Sequence, residues 1–78
     1  MFYTYLLKLS NNKYYAGHSN NLKNRVNNHI NGKTTITKNF RPLNLVFYAA
    51  FTKEILAIKF EKYLTSSSGF AFLNKRLI

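Results

Sequence analysis

The chain has 78 residues, with twelve Lys and Arg against two acidic residues and a formal net charge of +10. A chain of this length can form one small domain, which buries only about 60% of the surface that its unfolded state exposes. A hydrophobic fraction of 46%, with six Tyr and seven Phe, argues against a disordered tail. We therefore expect a single folded domain over residues 1–78, with a surface that attracts polyanions.

Composition also narrows the partners and the compartment. The basic residues are spread through the chain and are not gathered on one amphipathic helix or tail, so nucleic acid is a more natural partner than a membrane surface. The chain has no cysteine, which excludes disulfides, thiolate zinc sites and cysteine nucleophiles. It also lacks the ~20-residue apolar run that spans a bilayer and the layout of a signal peptide. We expect a cytoplasmic protein without a membrane partner.

A β-hairpin followed by a helix is predicted for the first half of the chain. Residues 2–9 are rich in aromatic and branched side chains, residues 10–13 favour a turn, and residues 14–17 can return as a second strand. The polar residues 19–21 offer helix N-caps, and the helix should stop by Gly32. Its apolar residues at four-residue spacing, which should form its packed face, are Leu22, Val26 and Ile30.

The second half is predicted to add one strand and two helices. Residues 33–41 show no clear period and indicate a loop or one short helix. Residues 43–51 are apolar on both faces, which is typical of a central strand covered on each side. Thr52 should cap a helix that runs to about residue 65, and residues 70–77 should form a short terminal helix. The sum is an α+β domain, a small antiparallel sheet with helices packed around it. The expected apolar side of the long helix is Ile55, Ala57, Ile58 and Leu64.

The two carboxylates of the chain are expected to have different roles. Glu61 has apolar neighbours one turn away on its helix, among them Ala57 and Leu64, so an unpaired charge there would be expensive. It needs a cation, either a Lys or Arg in an ion pair or a divalent ion such as Mg²⁺. Glu54 lies about 10 Å earlier along the helix, too far to bind the same ion, and suits the positive end of the helix dipole.

The order of several short motifs resembles the GIY-YIG nuclease family. Residues 3–5, Tyr-Thr-Tyr, stand where the family has its GIY triplet, and residues 15–17, Tyr-Ala-Gly, stand where it has YIG. A helix with Arg25 and His29 follows, and Glu61 lies on a later helix. The resemblance covers almost the whole chain and is to small stand-alone endonucleases and to the nuclease domain at the amino terminus of an excinuclease. It implies a three-stranded antiparallel sheet flanked by helices.

The resemblance also implies catalytic roles for five residues. Glu61 would bind one Mg²⁺ or Mn²⁺ ion. Arg25 would hold the scissile phosphate, and His29 would relay a proton or orient the attacking water, whereas without the resemblance this pair indicates a solvated basic helix face. Tyr5 or Tyr15 would accept a proton from the water, and the sequence does not decide between them. The other four tyrosines are assigned to the core.

A second group of residues is expected to contact nucleic acid. Gly17 lacks a Cβ, which permits a positive φ or the close approach of a phosphate. The role of His18 is open, and Asn74 lies near a position where several members of the family have an Asn by the site. Basic residues after the first helix suit phosphate contacts that read no sequence. The expected contacts are Gly17, His18, Lys33, Lys38, Arg41 and Asn74.

These expectations combine into a divalent-metal-dependent endonuclease that hydrolyses DNA with low sequence specificity, in DNA repair or recombination by resemblance. A non-catalytic basic nucleic-acid-binding domain with the same fold is the alternative. The sequence leaves RNA open as the substrate, leaves open whether the protein is a monomer or a weak dimer, and leaves specificity to DNA shape or a protein partner. In the cytoplasm such a protein would associate with the nucleoid when bound to DNA.

Overall fold

The computed structural model of the protein describes residues 1–66 together with residues 69, 71 and 75. The Cα trace is flat, with extents of 27 × 27 × 16 Å. Residues 71 and 75 are helical, and the rest of the terminal helix expected over residues 70–77 lies outside the described residues. No helix in the described part is long and apolar enough to cross a membrane. The elements with defined bounds are β1 (Phe2–Lys8), β2 (Tyr14–Ser19), α1 (Leu22–Ile30), a 3₁₀ helix (Lys38–Phe40), β3 (Asn44–Phe51) and α2 (Glu54–Leu64).

The strands form one antiparallel sheet, which confirms the predicted α+β fold class, and the first two form the predicted hairpin. The turn between them is closed by a hydrogen bond of 2.8 Å from Leu9 N to Lys13 O. Asn12 has a φ of 66°, a conformation that Asn tolerates better than most residues, and the side chain of Asn11 accepts a hydrogen bond of 3.1 Å from Lys13 N. The Asn-rich turn therefore sets the pairing of the two strands.

The central strand is β1, because the strand order is β2-β1-β3. The prediction that residues 43–51 form a central strand covered on both faces is wrong. Residues 4–7 of β1 are all buried, whereas Val46 and Tyr48 of β3 are 39% and 53% exposed. The reason lies in the helices: α2 packs across all three strands, but α1 packs against β2, which leaves one face of β3 open.

Alternate side chains of β1 enter two separate cores, as the two-residue period of a strand requires. On the α1 side of the sheet, Tyr5 and Leu7 form the first core with Leu43. On the α2 side, Leu6 packs against Leu64 of α2. The partly buried residues around the first core are Leu9, Tyr15 and Leu22, and those around the second are Tyr14, Ala16, Phe47 and Phe60.

Helix α1 has the predicted limits but a different packed face. The side chain of Asn21 caps it by accepting a hydrogen bond of 3.1 Å from the first turn, and Gly32 follows its end with a φ of 75°. Val26 and His29 are buried, whereas Ile30 is 47% exposed, so the prediction that Ile30 packs inward is wrong. At 100° per residue, the face toward the sheet runs through position 29 and not through position 30.

A helix was predicted to follow Thr52, and helix α2 begins at Glu54. Thr52, however, does not cap it. Lys53 occupies the N-cap position and makes no side-chain capping hydrogen bond. Ile55 is 52% exposed, so the prediction that it lies on the packed side of the helix is wrong. Lacking a side-chain cap, α2 depends on packing against the sheet.

A buried hydrogen bond holds α2 against the central strand. The hydroxyl of Thr4 donates to the carbonyl oxygen of Ala57 at 2.6 Å, and both residues are fully buried. Ala57 lies one helical turn before Glu61. The position of Glu61 relative to the sheet is therefore set by a contact in the core.

Candidate active site

Tyr5 of β1 lies at the centre of the candidate site and is 1% exposed. Its partner across the hairpin is Gly17, and the phenol lies directly over this glycine. A Cβ at position 17 would occupy the place of the Tyr5 hydroxyl and ring, so only glycine leaves room for them. Gly17 lies within β2 without a positive φ, so the first of its two predicted roles is wrong.

A buried chain of polar groups leads from Tyr5 through His29 to Thr37. Oη of Tyr5 lies 3.1 Å from Nε2 of His29, and Nδ1 of His29 lies 2.6 Å from Oγ1 of Thr37. His29 and Thr37 are both fully buried. Burial, followed by the charge of Arg25, lowers the pKa of His29 below its ordinary 6.5. At neutral pH the imidazole is therefore neutral and carries one N–H.

The hydrogen-bond partners decide which ring nitrogen of His29 carries this proton. The phenol of Tyr5 is buried and protonated, and among the described bonds the acceptor for its O–H proton is Nε2 of His29. Nδ1 then carries the ring proton and donates it to Oγ1 of Thr37. This assignment makes the hydroxyl of Tyr5 a donor to the imidazole.

Arg25 directs a hydrogen-bond donor at the oxygen of the same hydroxyl. Its Nε donates to Oη of Tyr5 over 3.4 Å, and this hydrogen bond raises the pKa of Arg25, which stays cationic. Burial raises the pKa of Tyr5 above its ordinary 10.0, while the hydrogen bond and charge of Arg25 act in the opposite direction. Because burial dominates, the resting phenol is protonated.

Tyr15 joins this cluster through its ring. It is half-buried on β2, and its ring centroid lies 5.5 Å from that of His29, against 5.7 Å for Tyr5. Both tyrosines therefore flank the imidazole, but the hydrogen bond to Nε2 of His29 comes from Tyr5. The structure brings together four of the predicted catalytic residues on the α1 side: Tyr5, Tyr15, Arg25 and His29.

Glu61, the fifth predicted catalytic residue, pairs with His18. Nδ1 of His18 lies 2.6 Å from Oε1 of Glu61, with the two side chains 39% and 29% exposed. Glu61 is thus half-buried, and its partner is a histidine instead of the Lys or Arg considered for an ion pair. The charge of Glu61 is a minor cause of the raised pKa of Tyr5, behind burial.

The edge strand β2 contributes residues both to the tyrosine cluster on the α1 side of the sheet and to the pair of His18 and Glu61 on the α2 side. Successive residues of a strand point to opposite faces, so Tyr15 and Gly17 face α1 while His18 faces α2. In the described part of the chain, no three His, Cys, Asp or Glu side chains cluster as a metal site. The donors at Glu61 are its own oxygens and the ring nitrogen of His18. An ion bound there would take its other ligands from water or substrate.

The other predicted nucleic-acid contacts lie at the surface. Lys33, Lys38 and Arg41 are exposed and belong to the segment between α1 and β3. Nε of Arg41 donates to the backbone oxygen of Lys38 at 3.1 Å. Thr37 of the same segment is anchored in the site, so this basic segment lies beside the α1 side of the sheet. Asn74 lies outside the described residues.

Thr37 is a residue of the site that sequence analysis missed. It lies in a segment without periodicity, where nothing distinguishes it from Thr34 and Thr35. The available signal is indirect: a buried imidazole needs a partner for each nitrogen, and a hydroxyl in the segment after α1 can supply one.

A groove of about 350 Å³ opens on the α1 side of the sheet, along β1 from Tyr5. Its walls include Lys23, at the start of α1, and the rings of Tyr3 and Tyr48, which meet edge to face at 6.3 Å. Tyr48 is 53% exposed and Tyr63 is 40% exposed, so their assignment to the core is wrong. The groove gives the α1 side an open aromatic and basic surface.

Comparison with known proteins defines the class. A family model described as the GIY-YIG catalytic domain, a nuclease domain, matches residues 1–75. The chain belongs to the GIY-YIG family, which confirms the resemblance in the order of its motifs.

Similar proteins carry the name UPF0213. A UPF0213 protein of Pediococcus pentosaceus is 37% identical over an alignment that covers 95% of this chain and 82% of the relative. The UPF0213 protein YazA of Bacillus subtilis is 38% identical, with 76% of this chain and 61% of the relative covered. The solution NMR structure of a UPF0213 protein of Bacillus halodurans is 25% identical, with a TM-score of 0.59 over 96% of this chain and 84% of that chain. The chain thus shares both sequence and fold with this group.

Proposed function

We propose that the protein is a divalent-metal-dependent endonuclease that hydrolyses DNA phosphodiester bonds. The observation that carries this proposal is the convergence of Arg25 and His29 on the buried hydroxyl of Tyr5, beside the edge strand that also holds the partner of Glu61. A domain that only binds nucleic acid has no need for a buried phenol between a guanidinium and an imidazole, nor for a carboxylate at a cationic surface. Membership of a nuclease family supports the same conclusion.

Tyr5 is the residue that we expect to accept the proton of the attacking water. In the resting protein it is a neutral phenol, because burial raises its pKa. As Oη takes the proton of the water, it passes its own proton to Nε2 of His29, and the hydrogen bonds from Arg25 and the protonated imidazole stabilise negative charge on the oxygen. Tyr15 has no such pair of partners among the described bonds, so we assign it the role of orienting the water.

Arg25 is suited to hold the scissile phosphate. Only its Nε takes part in a described hydrogen bond, which leaves the two terminal nitrogens for a substrate. A planar guanidinium matches two phosphate oxygens and stabilises the negative charge that gathers on them during attack. Arg25 would thus serve both the phosphate and the phenolate.

The residues at Glu61 fit a divalent ion. The carboxylate is half-exposed and has a neighbouring nitrogen donor, so an ion that keeps several waters can reach it. Mg²⁺ and Mn²⁺ both accept this mixture of carboxylate, water and phosphate ligands. When bound, such an ion supplies neutralisation of charge on the phosphate oxygens.

DNA is the proposed substrate because of the charge of the protein. A net charge of +10 and the basic segment that holds Lys33, Lys38 and Arg41 favour contacts to phosphates, which carry no sequence information. We therefore propose low sequence specificity, with DNA shape or a partner protein choosing the site during repair or recombination in the cytoplasm. The same surface fits RNA, and a parallel assay on RNA decides between the two.

Nicking of supercoiled plasmid tests this proposal. Glu61→Gln and Tyr5→Phe should each lower the nicking rate in Mg²⁺ or Mn²⁺ by about 100-fold or more, the scale for loss of a group that acts in the transition state. Glu54→Gln is the matched control, because it removes the other carboxylate from an exposed position in the first turn of α2. This variant should cut plasmid and branched DNA at the wild-type rate.

The assay also separates the enzyme from a binding domain. Equal rates for the wild type and Glu61→Gln would overturn the proposed role of this carboxylate. A wild-type protein that binds DNA in a gel-shift assay but does not cut it with either ion would show that the fold serves only for binding.

A further inference from the structure

We propose that His18 is a second protein ligand of the divalent ion, so that the metal site is a nitrogen–oxygen pair formed by Nδ1 of His18 and Oε1 of Glu61. This inference rests on the proposed function, in which Glu61 binds the ion, and it assigns a role to a residue whose part in the site was open. It also specifies which ions the site prefers.

The distance between the two donor atoms suits a shared ion. Nδ1 of His18 and Oε1 of Glu61 are 2.6 Å apart. Two donors that bind one ion at right angles, each about 2.1 Å from it, lie about 3 Å apart. The pair must open by only a few tenths of an ångström to exchange its hydrogen bond for a shared ion. Both side chains are long enough to make this change without movement of the backbone.

The two ligands are held on separate elements that the core ties together. His18 lies on β2 opposite Thr4 of β1. The hydroxyl of the same Thr4 donates to the carbonyl oxygen of Ala57, one turn before Glu61 on α2. A fully buried residue therefore sets the separation of the strand that carries the nitrogen and the helix that carries the carboxylate. Such a supported pair binds an ion with little reorganisation.

The exposure of the pair leaves open positions for substrate. His18 and Glu61 are 39% and 29% exposed, so one side of the pair faces solvent. Across the described residues there is no third His, Cys, Asp or Glu close enough to complete a cage. The remaining ligands must be waters and phosphate oxygens, which is the open coordination that a catalytic site requires.

A nitrogen ligand changes the preference among ions. Mg²⁺ favours oxygen ligands, whereas Mn²⁺, Co²⁺ and Zn²⁺ accept imidazole more readily. The competing interpretation makes His18 a counter-ion of Glu61, displaced when the ion binds. The two interpretations predict opposite effects for removal of the imidazole: loss of a ligand weakens binding of Mn²⁺, whereas loss of a competing cation strengthens it.

Binding of Mn²⁺ to the full chain, followed by electron paramagnetic resonance, tests the proposal without reference to cleavage. Wild type should show spin-echo modulation from a directly bound ¹⁴N nucleus. His18→Ala should lose this modulation and bind Mn²⁺ at least about tenfold more weakly, since loss of even an outer-shell partner has an effect of this size. Competition with Mg²⁺ should show a smaller preference for Mn²⁺ in this variant than in wild type. Glu54→Gln should match wild type, and thermal unfolding of each variant verifies that it is folded.

Three results would overturn the proposal: no ¹⁴N modulation in wild type, equal or tighter binding of Mn²⁺ by His18→Ala, or unchanged binding by Glu61→Gln. The failures of the two proposals are distinct. Nicking of plasmid without ¹⁴N modulation would remove His18 from the site and leave the endonuclease intact. ¹⁴N modulation without nicking would establish the two-ligand site in a protein that does not cut.

Discussion

The chemistry of Tyr5 depends on residues far from it in the sequence. Gly17 leaves space for the phenol, Arg25 donates to its oxygen, and His29 accepts its proton. Thr37 acts through His29, because its hydroxyl oxygen accepts the ring proton on Nδ1. A hydroxyl in a loop thus keeps Nε2 available to accept from the tyrosine.

Replacement of Thr37 tests this tautomer. Thr37→Val keeps the shape of the side chain but removes the acceptor for the Nδ1 proton of His29, so we expect kcat to fall roughly tenfold to a hundredfold with KM nearly unchanged, as for other residues that orient a functional imidazole. Thr37→Ser should retain most of the activity. Imidazole ¹⁵N shifts measure the tautomer directly: the proton should reside on Nδ1 in wild type. A proton on Nε2 in wild type would contradict the assignment.

The lowered pKa of His29 predicts how stability depends on pH. The folded state resists protonation of this ring, whereas the unfolded chain takes up a proton near pH 6.5. The contribution of His29 to stability is therefore fully present above pH 6.5 and is lost as the pH falls through the folded pKa, with a slope of up to about 1.4 kcal/mol per pH unit. Urea unfolding of wild type and His29→Gln measures it. The difference in slope between the two proteins isolates His29 from other titrating groups, and parallel curves would refute the prediction.

The strands and helices differ in whether local sequence or tertiary contacts determine them. The hairpin and the limits of α1 were predictable, because an Asn-rich turn and an N-capping Asn21 act on the backbone next to them. The central position of β1 was not predictable, because the apolar run in β3 does not reveal which helix covers that strand. The catalytic group could be proposed from the order of its motifs. The pairing of His18 with Glu61 could not, because it joins residues 43 positions apart.

The basic residues of the molecule far outnumber its acidic residues. Both Glu lie on α2 together with Lys59 and Lys62, and the other ten Lys and Arg are distributed over the rest of the chain. Phosphates are therefore attracted over much of the surface. A contact that positions a substrate neutralises a particular phosphate and releases its counterions. Such a contact can therefore be distinguished from the general attraction by the salt dependence of binding.

Salt dependence identifies the positioning contacts. Replacement of Lys33, Lys38 and Arg41 by Gln should lower the slope of log K against log salt by about 2.7, or 0.9 for each phosphate of duplex DNA that the variant no longer neutralises. A matched control replaces the exposed Lys8, Lys13 and Lys53, which makes the same change in net charge. Fluorescence anisotropy between about 50 and 200 mM salt measures both slopes. Equal slopes for the two variants would show that the segment after α1 has no special role in binding.

The flatness of the domain limits what one copy can do to a duplex. Its longest extent of 27 Å corresponds to about eight base pairs at 3.4 Å each, less than the 10–10.5 base pairs of one helical turn. With the proposed function, a single copy would therefore contact one side of the double helix and present one reactive centre to one strand. Severing the second strand then requires another copy on the opposite side, or release and a new encounter.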